Sequence, residues 1–106
     1  VLLPEPCVLR AHALEAMQRL NRAYSIVLTA SGIRGAQAAI VAGLGISILP
    51  QSCVLPGMRI LEGLPLPAAL EIGIVKGRSA RPQLVDAVQA VAVESLRGMA
   101  VLRAAA

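Results

Sequence analysis

The chain reads as an α/β protein with a mostly parallel sheet flanked by helices. Three observations predict this. Over residues 1–49, short apolar runs alternate with segments of helical period, in the order strand, helix, strand, helix, strand. That order is the pattern of parallel strands joined by crossover helices, which are right-handed. Turn formers punctuate the junctions, above all Gly43 and Pro50. Apolar residues make up 57% of the chain and aromatics only 1%, so the core must be built from Leu, Val, Ile and Ala.

The elements follow in order. Val1-Leu2-Leu3 ends a buried strand and is stopped by Pro4-Glu5-Pro6. Over residues 9–22 the apolar side chains Leu9, Ala13, Ala16, Met17 and Leu20 recur at helical spacing. His12, Glu15, Gln18, Arg19 and Arg22 fill the other face, which predicts an amphipathic helix. Asn21, with Arg19 and Arg22 in the last turn, suits its C-terminus. Residues 25–29 predict a second buried strand. Ser31-Gly32 is the polar hand-over to a helix over residues 33–42, where alanines and Gly35 permit close packing on a sheet. Ser31 suits an N-cap, and Gly43 a C′ residue. Residues 45–49 predict a third strand, ended by Pro50.

The second half changes character. Residues 51–57 predict a loop and residues 58–61 a short strand. Residues 62–68 predict a proline-punctuated connector, and 70–76 a further strand. Pro82 suits the first position of a final helix with Leu84, Val85, Val88, Val91, Ala92 and Leu96 on its apolar face. Gly98 is expected to end it, and residues 99–106 to fray.

Composition excludes several classes. A length of 106 residues allows one domain with a modest core. Charged residues are 15%, below the usual quarter. So apolar a small chain is expected to expose surface that packs on something else, as a lobe or fragment would; Val1 opening inside an apolar run agrees. The net charge is +4, but the arginines are scattered and Tyr24 is the only aromatic. Nucleic-acid binding wants a clustered basic face or a stacking platform, so this segment is not expected to touch DNA or RNA. Cys7 and Cys53 are too few for a disulfide framework, and a reduced cytosolic compartment is expected. Residues 35–58 carry no charge, yet Gln37, Gly43, Gly45 and Pro50 interrupt them. They fit a buried helix and strand better than a membrane span.

Enzymatic readings fare poorly. His12 is the lone histidine, and Cys7 and Cys53 lack paired metal-ligand spacing, so no metal site is expected. Cys7 with His12 could make a nucleophile and base, but a loop thiol and a helix-surface imidazole fit better. No two carboxylates are close enough in sequence to nominate an acid/base pair. Gly43-Leu44-Gly45 lacks the third glycine of a dinucleotide fingerprint, and ends a helix instead of opening one. No catalytic residue and no cofactor is expected.

Binding readings fare better. Ligands of open α/β sheets sit beyond the carboxyl ends of the strands. Here those ends are Pro4-Glu5-Pro6-Cys7, Thr29-Ala30-Ser31-Gly32 and Pro50-Gln51-Ser52. Three small polar loops would meet on one edge, where backbone N–H groups of a helix start can receive an anion. Arg10 could hold a carboxylate there, against the plainer reading of a solvated arginine. Arg34 carries the same two readings.

These residues converge on a family. Residues 1–10 (VLLPEPCVLR), 26–31 (IVLTAS) and 41–50 (VAGLGISILP), in that order, closely resemble the effector-binding region of LysR-type transcriptional regulators. Met58-Arg-Ile-Leu, Leu64-Pro-Leu-Pro and Leu70-Glu-Ile-Gly-Ile-Val follow in the family's order. The resemblance implies a periplasmic-binding-protein-like (type II) lobe, a fragment of a two-lobed domain. Residues 1–78 would be the second lobe, and 79–106 the returning C-terminal helix and frayed tail. The winged helix-turn-helix and most of the first lobe lie outside this sequence.

Carried over by position, the effector-binding contributions fall on Pro6, Cys7 and Arg10 and on Ala30, Ser31, Gly32 and Ile33, with Gln51-Ser52 weaker. The implied ligand is a small metabolite, with Arg10 and the small polar loops pointing to an anion. The implied assembly is a homo-oligomer, dimer or tetramer, through helix 9–22 and strand 25–29. Effector binding would reorient the lobes and shift the oligomer. DNA would be met only through the N-terminal domain, and no membrane. Two other readings stand beside it: a lobe of an extracytoplasmic solute-binding protein, and an oligomerisation module that binds no ligand.

Overall fold

The computed structural model describes residues 1–66, 70 and 72–97, together with the backbone pairing of 102–105. Its elements run α1 (Val8–Arg19), α2 (Ile33–Val41), β1 (Ser47–Pro50), a 3₁₀ turn (Gln51–Cys53), β2 (Ile60–Leu61), α3 (Pro82–Leu96) and β3 (Leu102–Ala105).

Helix α1 buries Ala16, with Leu9, Ala13, Met17 and Leu20 half-buried beside it, the stripe its spacing predicts. It ends three residues short of the expected Arg22. Asn21 turns into the left-handed region at φ 47°. Its N–H donates to the Gln18 carbonyl at 2.9 Å, and that of Arg22 to Met17 at 3.3 Å. This is a Schellman closure, and Asn tolerates the conformation it needs. Helix α2 closes the same way. Gly43, at φ +76°, donates to Ile40 at 2.9 Å, and Leu44 to Ala39 at 3.0 Å.

Helix α2 lies close against the chain that leads into it. Ala36, Gln37, Ala39 and Ile40 are buried. A Cβ at Gly35 would meet the Ala30 Cβ at 3.3 Å, so small residues set this approach. Val1, Ala30, Ala36, Ala39, Ile40 and the fully buried Leu49 form the core, with Leu3, Ile33, Cys53 and Met58 packed on it.

The strands depart most from expectation. Residues 1–3 and 25–29, expected as strands of a parallel sheet, meet in a single parallel bridge, Leu2 with Thr29. Leu2 donates to Leu28 at 3.0 Å and Ala30 donates back to Leu2 at 2.9 Å. Residues 22–28 are exposed and form no longer ladder, since a strand needs a partner along its whole length. On the other side of this bridge the Val1 ammonium donates to the Ile46 carbonyl at 2.8 Å.

The third strand starts later than expected, at Ser47, and pairs antiparallel. The tail expected to fray supplies β3, central in a three-stranded sheet ordered β1-β3-β2. Ser47 lies opposite Ala105 and Pro50 opposite Leu102, while Ile60 and Leu61 flank Ala105 and Ala104. The open edge of β1 carries backbone groups that need partners, and this segment provides them. The expected strand over 70–76 does not form among its described residues. Residues 72–76 are exposed, Val75 at 94%, with no strand beside them.

Helix α3 begins with Pro82 in its first turn, as read from sequence. Gly98, expected to end it, lies outside the described residues, and Arg97 is the C-cap. It buries no residue. Leu84, Val88 and Val91 share a face and are 61–68% exposed. The radius of gyration, 16.1 Å, accordingly exceeds the ~13 Å of a compact chain this long.

Candidate effector-binding edge

The Leu2–Thr29 bridge decides the geometry of the site. Both chains leave it in the same direction, so the loop before α1 and the loop before α2 start side by side. Each opens a helix. Cys7 is the N-cap of α1 and Gly32 that of α2, both extended, and neither has a side-chain cap. The first hydrogen bonds are Ala11 N–H to Cys7 and Ala36 N–H to Gly32, both 3.1 Å. The N–H groups ahead of them have no helical partner, and the helix dipoles leave this edge positive. No acidic residue sits in either first turn.

Ser31 is not the cap that sequence placed there. It lies one residue earlier, exposed, because the Gly32 carbonyl accepts the first helical bond. Its hydroxyl is thereby left out of the helix. Gly32 has no neighbour within 4 Å of a built Cβ, so the surface beside it is open. Ala30 is buried beneath α2, and Ile33 is half-buried against the core. These two shape the floor more than they offer contacts. Pro6 is exposed and Cys7 is a half-buried free thiol.

Arg10 is not the solvated arginine of the plainer reading. Its side chain is only 16% exposed. Nη1 donates to the Leu3 carbonyl at 3.2 Å, and Nε faces Glu5 Oε1 at 3.4 Å. Nε is buried and makes no hydrogen bond, so the Glu5 contact is ionic. A guanidinium is thus folded back across the loop, beside the start of α1. Sequence reasoning placed Glu5 in this loop but gave it no role. The available signal was an acid five residues before Arg10 in a short proline-flanked loop.

Gln37 was also passed over as a positioning residue, though a lone amide in an apolar helix was there to be read. It is buried, and its Nε2 donates to the Cys53 carbonyl at 2.8 Å. The 3₁₀ turn holding Gln51 and Ser52 is thereby tied to α2. Arg34 Nη1 reaches Gln37 Oε1 at 3.5 Å, so Arg34 leans along its own helix. His12 is half-buried, and its Nδ1 lies 3.5 Å from Glu15 Oε2 on the same helix.

A separate apolar cavity of about 110 Å³ lies under α1, walled by Leu2, Ala13, Met17, Tyr24, Ile46 and Leu64. It shares no residue with the positive edge and has no charged side chain in its wall. An anion placed there would lose its hydration with no charged side chain to replace it. Among the described residues no cluster of three or more His, Cys, Asp or Glu could hold a metal. No helix among them is long and apolar enough to cross a membrane. The uncharged stretch over 35–58 is instead divided among α2, β1 and the 3₁₀ turn.

The family model described as LysR substrate binding domain matches residues 1–97. No curated protein and no solved structure matches the chain. The match covers the bridge, both loops, the sheet segment at 47–50 and α3. It carries with it a periplasmic-binding-protein-like fold and a role in transcription regulation through effector binding, in a family whose members are not generally enzymes. By this match over most of its length, the chain belongs to the LysR substrate-binding domain family.

Proposed function

We propose that this chain is the sensor lobe of a bacterial, cytoplasmic LysR-type regulator, and that it binds a small anionic metabolite at the paired edge. The observation that supports this is the parallel Leu2–Thr29 bridge, after which the loop with Arg10 and the loop with Ser31 each lead into an uncapped helix start. Pro6, Cys7 and Arg10 on one loop, and Ala30, Ser31, Gly32 and Ile33 on the other, form this half of the cleft. Uncapped N–H groups and a guanidinium suit a carboxylate or phosphate. Residues 1–78 would be the second lobe, with 79–106 returning toward a first lobe. The exposed face of α3 supports that division.

The control step is a shift in population. An effector that binds one lobe arrangement better than another moves the oligomer toward it, and DNA-binding heads outside this sequence change spacing. Helix α1 and residues 25–29 would form the oligomer surface. Ile26 and Val27 are 42% and 58% exposed there, with Tyr24 beside them at 50%. The same exposure favours a second reading, a pure oligomerisation module.

Thermal melts with the sodium salts of acetate, succinate and benzoate separate the two. A ligand at a hundred times its Kd stabilises by about 2.7 kcal/mol. The sensor reading predicts that at least one salt raises the Tm at constant ionic strength, and that Arg10→Gln with Ser31→Ala removes the rise. A rise that survives both substitutions would place the ligand elsewhere. An absence of any rise, with concentration-dependent sedimentation lost in Val27→Lys, would leave the oligomerisation module.

A further inference from the structure

We infer that Glu5 is a built-in competitor for the anion, holding the Arg10 guanidinium until a better carboxylate displaces it. The inference rests on the cleft reading above and adds a residue that sets its binding threshold. Arg10 is anchored from one side, where Nη1 donates to the Leu3 carbonyl at 3.2 Å. Its Nε is inaccessible to solvent, lacks a hydrogen bond, and has Glu5 Oε1 at 3.4 Å as its charged neighbour. The guanidinium is therefore preorganised but its donors are not fully used, and a buried unmade donor is costly.

Glu5 is suited to be displaced. Its side chain is 79% exposed while that of Arg10 is 16% exposed. A contact with one partner in water is weak and screened. Pro4 and Pro6 flank Glu5 and fix the backbone on both sides, so the carboxylate is presented to Arg10 at small entropic cost. An incoming carboxylate that makes charge-assisted hydrogen bonds replaces a contact that makes none. A neutral amide of the same shape gains no such advantage. Glu5 thus raises the threshold for anions, while the Arg10 charge itself disfavours neutral analogues.

The test follows the Arg10 Nε–Hε resonance of ¹⁵N-labelled chain during titration with sodium acetate, with NaCl holding ionic strength constant. The wild-type resonance is expected to shift saturably. In Glu5→Gln the same shift is expected at about 1.5- to 5-fold lower acetate, the range set by an exposed ion pair. Acetamide is expected to shift neither. Glu15→Gln removes the same charge from α1, where Glu15 pairs with Arg19 at 2.6 Å, and should leave the acetate midpoint unchanged. Equal midpoints for wild type and Glu5→Gln would overturn the competitor while the cleft reading stands. An equal drop in Glu15→Gln would also overturn it, as a long-range charge effect. Failure of acetate to move the resonance in any of these proteins would overturn both.

Discussion

Replacing Gln37 with leucine tests whether one buried amide holds the edge of the site in shape. Gln37 is 5% exposed, and its Nε2 donates to the Cys53 carbonyl at 2.8 Å. Leucine keeps the volume but leaves that carbonyl without its donor. A hydrogen bond removed with its partner left in place costs about 1–3 kcal/mol. The second contact, from Arg34 at 3.5 Å, is at the outer limit of a hydrogen bond and adds little. For a domain of this size, each kcal/mol lowers the Tm by about 4–8 °C, so Gln37→Leu is expected to melt roughly 4–24 °C earlier. Circular dichroism reads that directly. Amide exchange localises it. The Val54 N–H, bonded to Gln51 at 3.1 Å in the 3₁₀ turn, should exchange faster. The Ala42 N–H, bonded to Ala38 at 3.0 Å in α2, should change less. Stability within 0.5 kcal/mol of wild type, with Val54 unchanged, would refute the reasoning and show that water replaces the amide.

Other perturbations follow from the same packing. Leu49 is the largest fully buried side chain, so Leu49→Ala should cost about 2–5 kcal/mol, read as a lower urea midpoint with an unchanged slope. Gly43 sits at φ +76° with space around a built Cβ, so Gly43→Ala should cost only the left-handed backbone strain, about 1–2 kcal/mol, in the same assay.

The helices were legible in the sequence because their signals are local. The stripe Leu9, Ala13, Ala16, Met17, Leu20 needs no knowledge of its partner. Asn21 and Gly43 announce the two closures, and Pro82 opens α3. Strands are not local. Residues 25–29 and 70–76 carry strong apolar runs, yet in the first only Thr29 finds a partner and in the second none of the described residues does, while Ser47–Pro50 and Ile60–Leu61 pair with β3. The tail at 102–105 has no strong pattern but completes the edge of β1. The same division runs through the site. That the loops before α1 and α2 start side by side followed from the order of elements. That Arg10 folds back onto Leu3 and Glu5, and that Gln37 reaches sixteen residues on to Cys53, depends on the packed geometry. Ser31 was displaced from its cap by a single residue, a distance that composition cannot resolve.

The central claim is that an anion is recognised where the two loops meet. A ¹H–¹⁵N amide map of the chain titrated with sodium succinate, at constant ionic strength, tests it most directly. The account predicts saturable shifts concentrated at Cys7–Arg10 and Ser31–Arg34, lost together in Arg10→Gln. Shifts concentrated instead at Ala13, Met17 and Ile46, around the apolar cavity, or spread evenly over the exposed arginines, would contradict it.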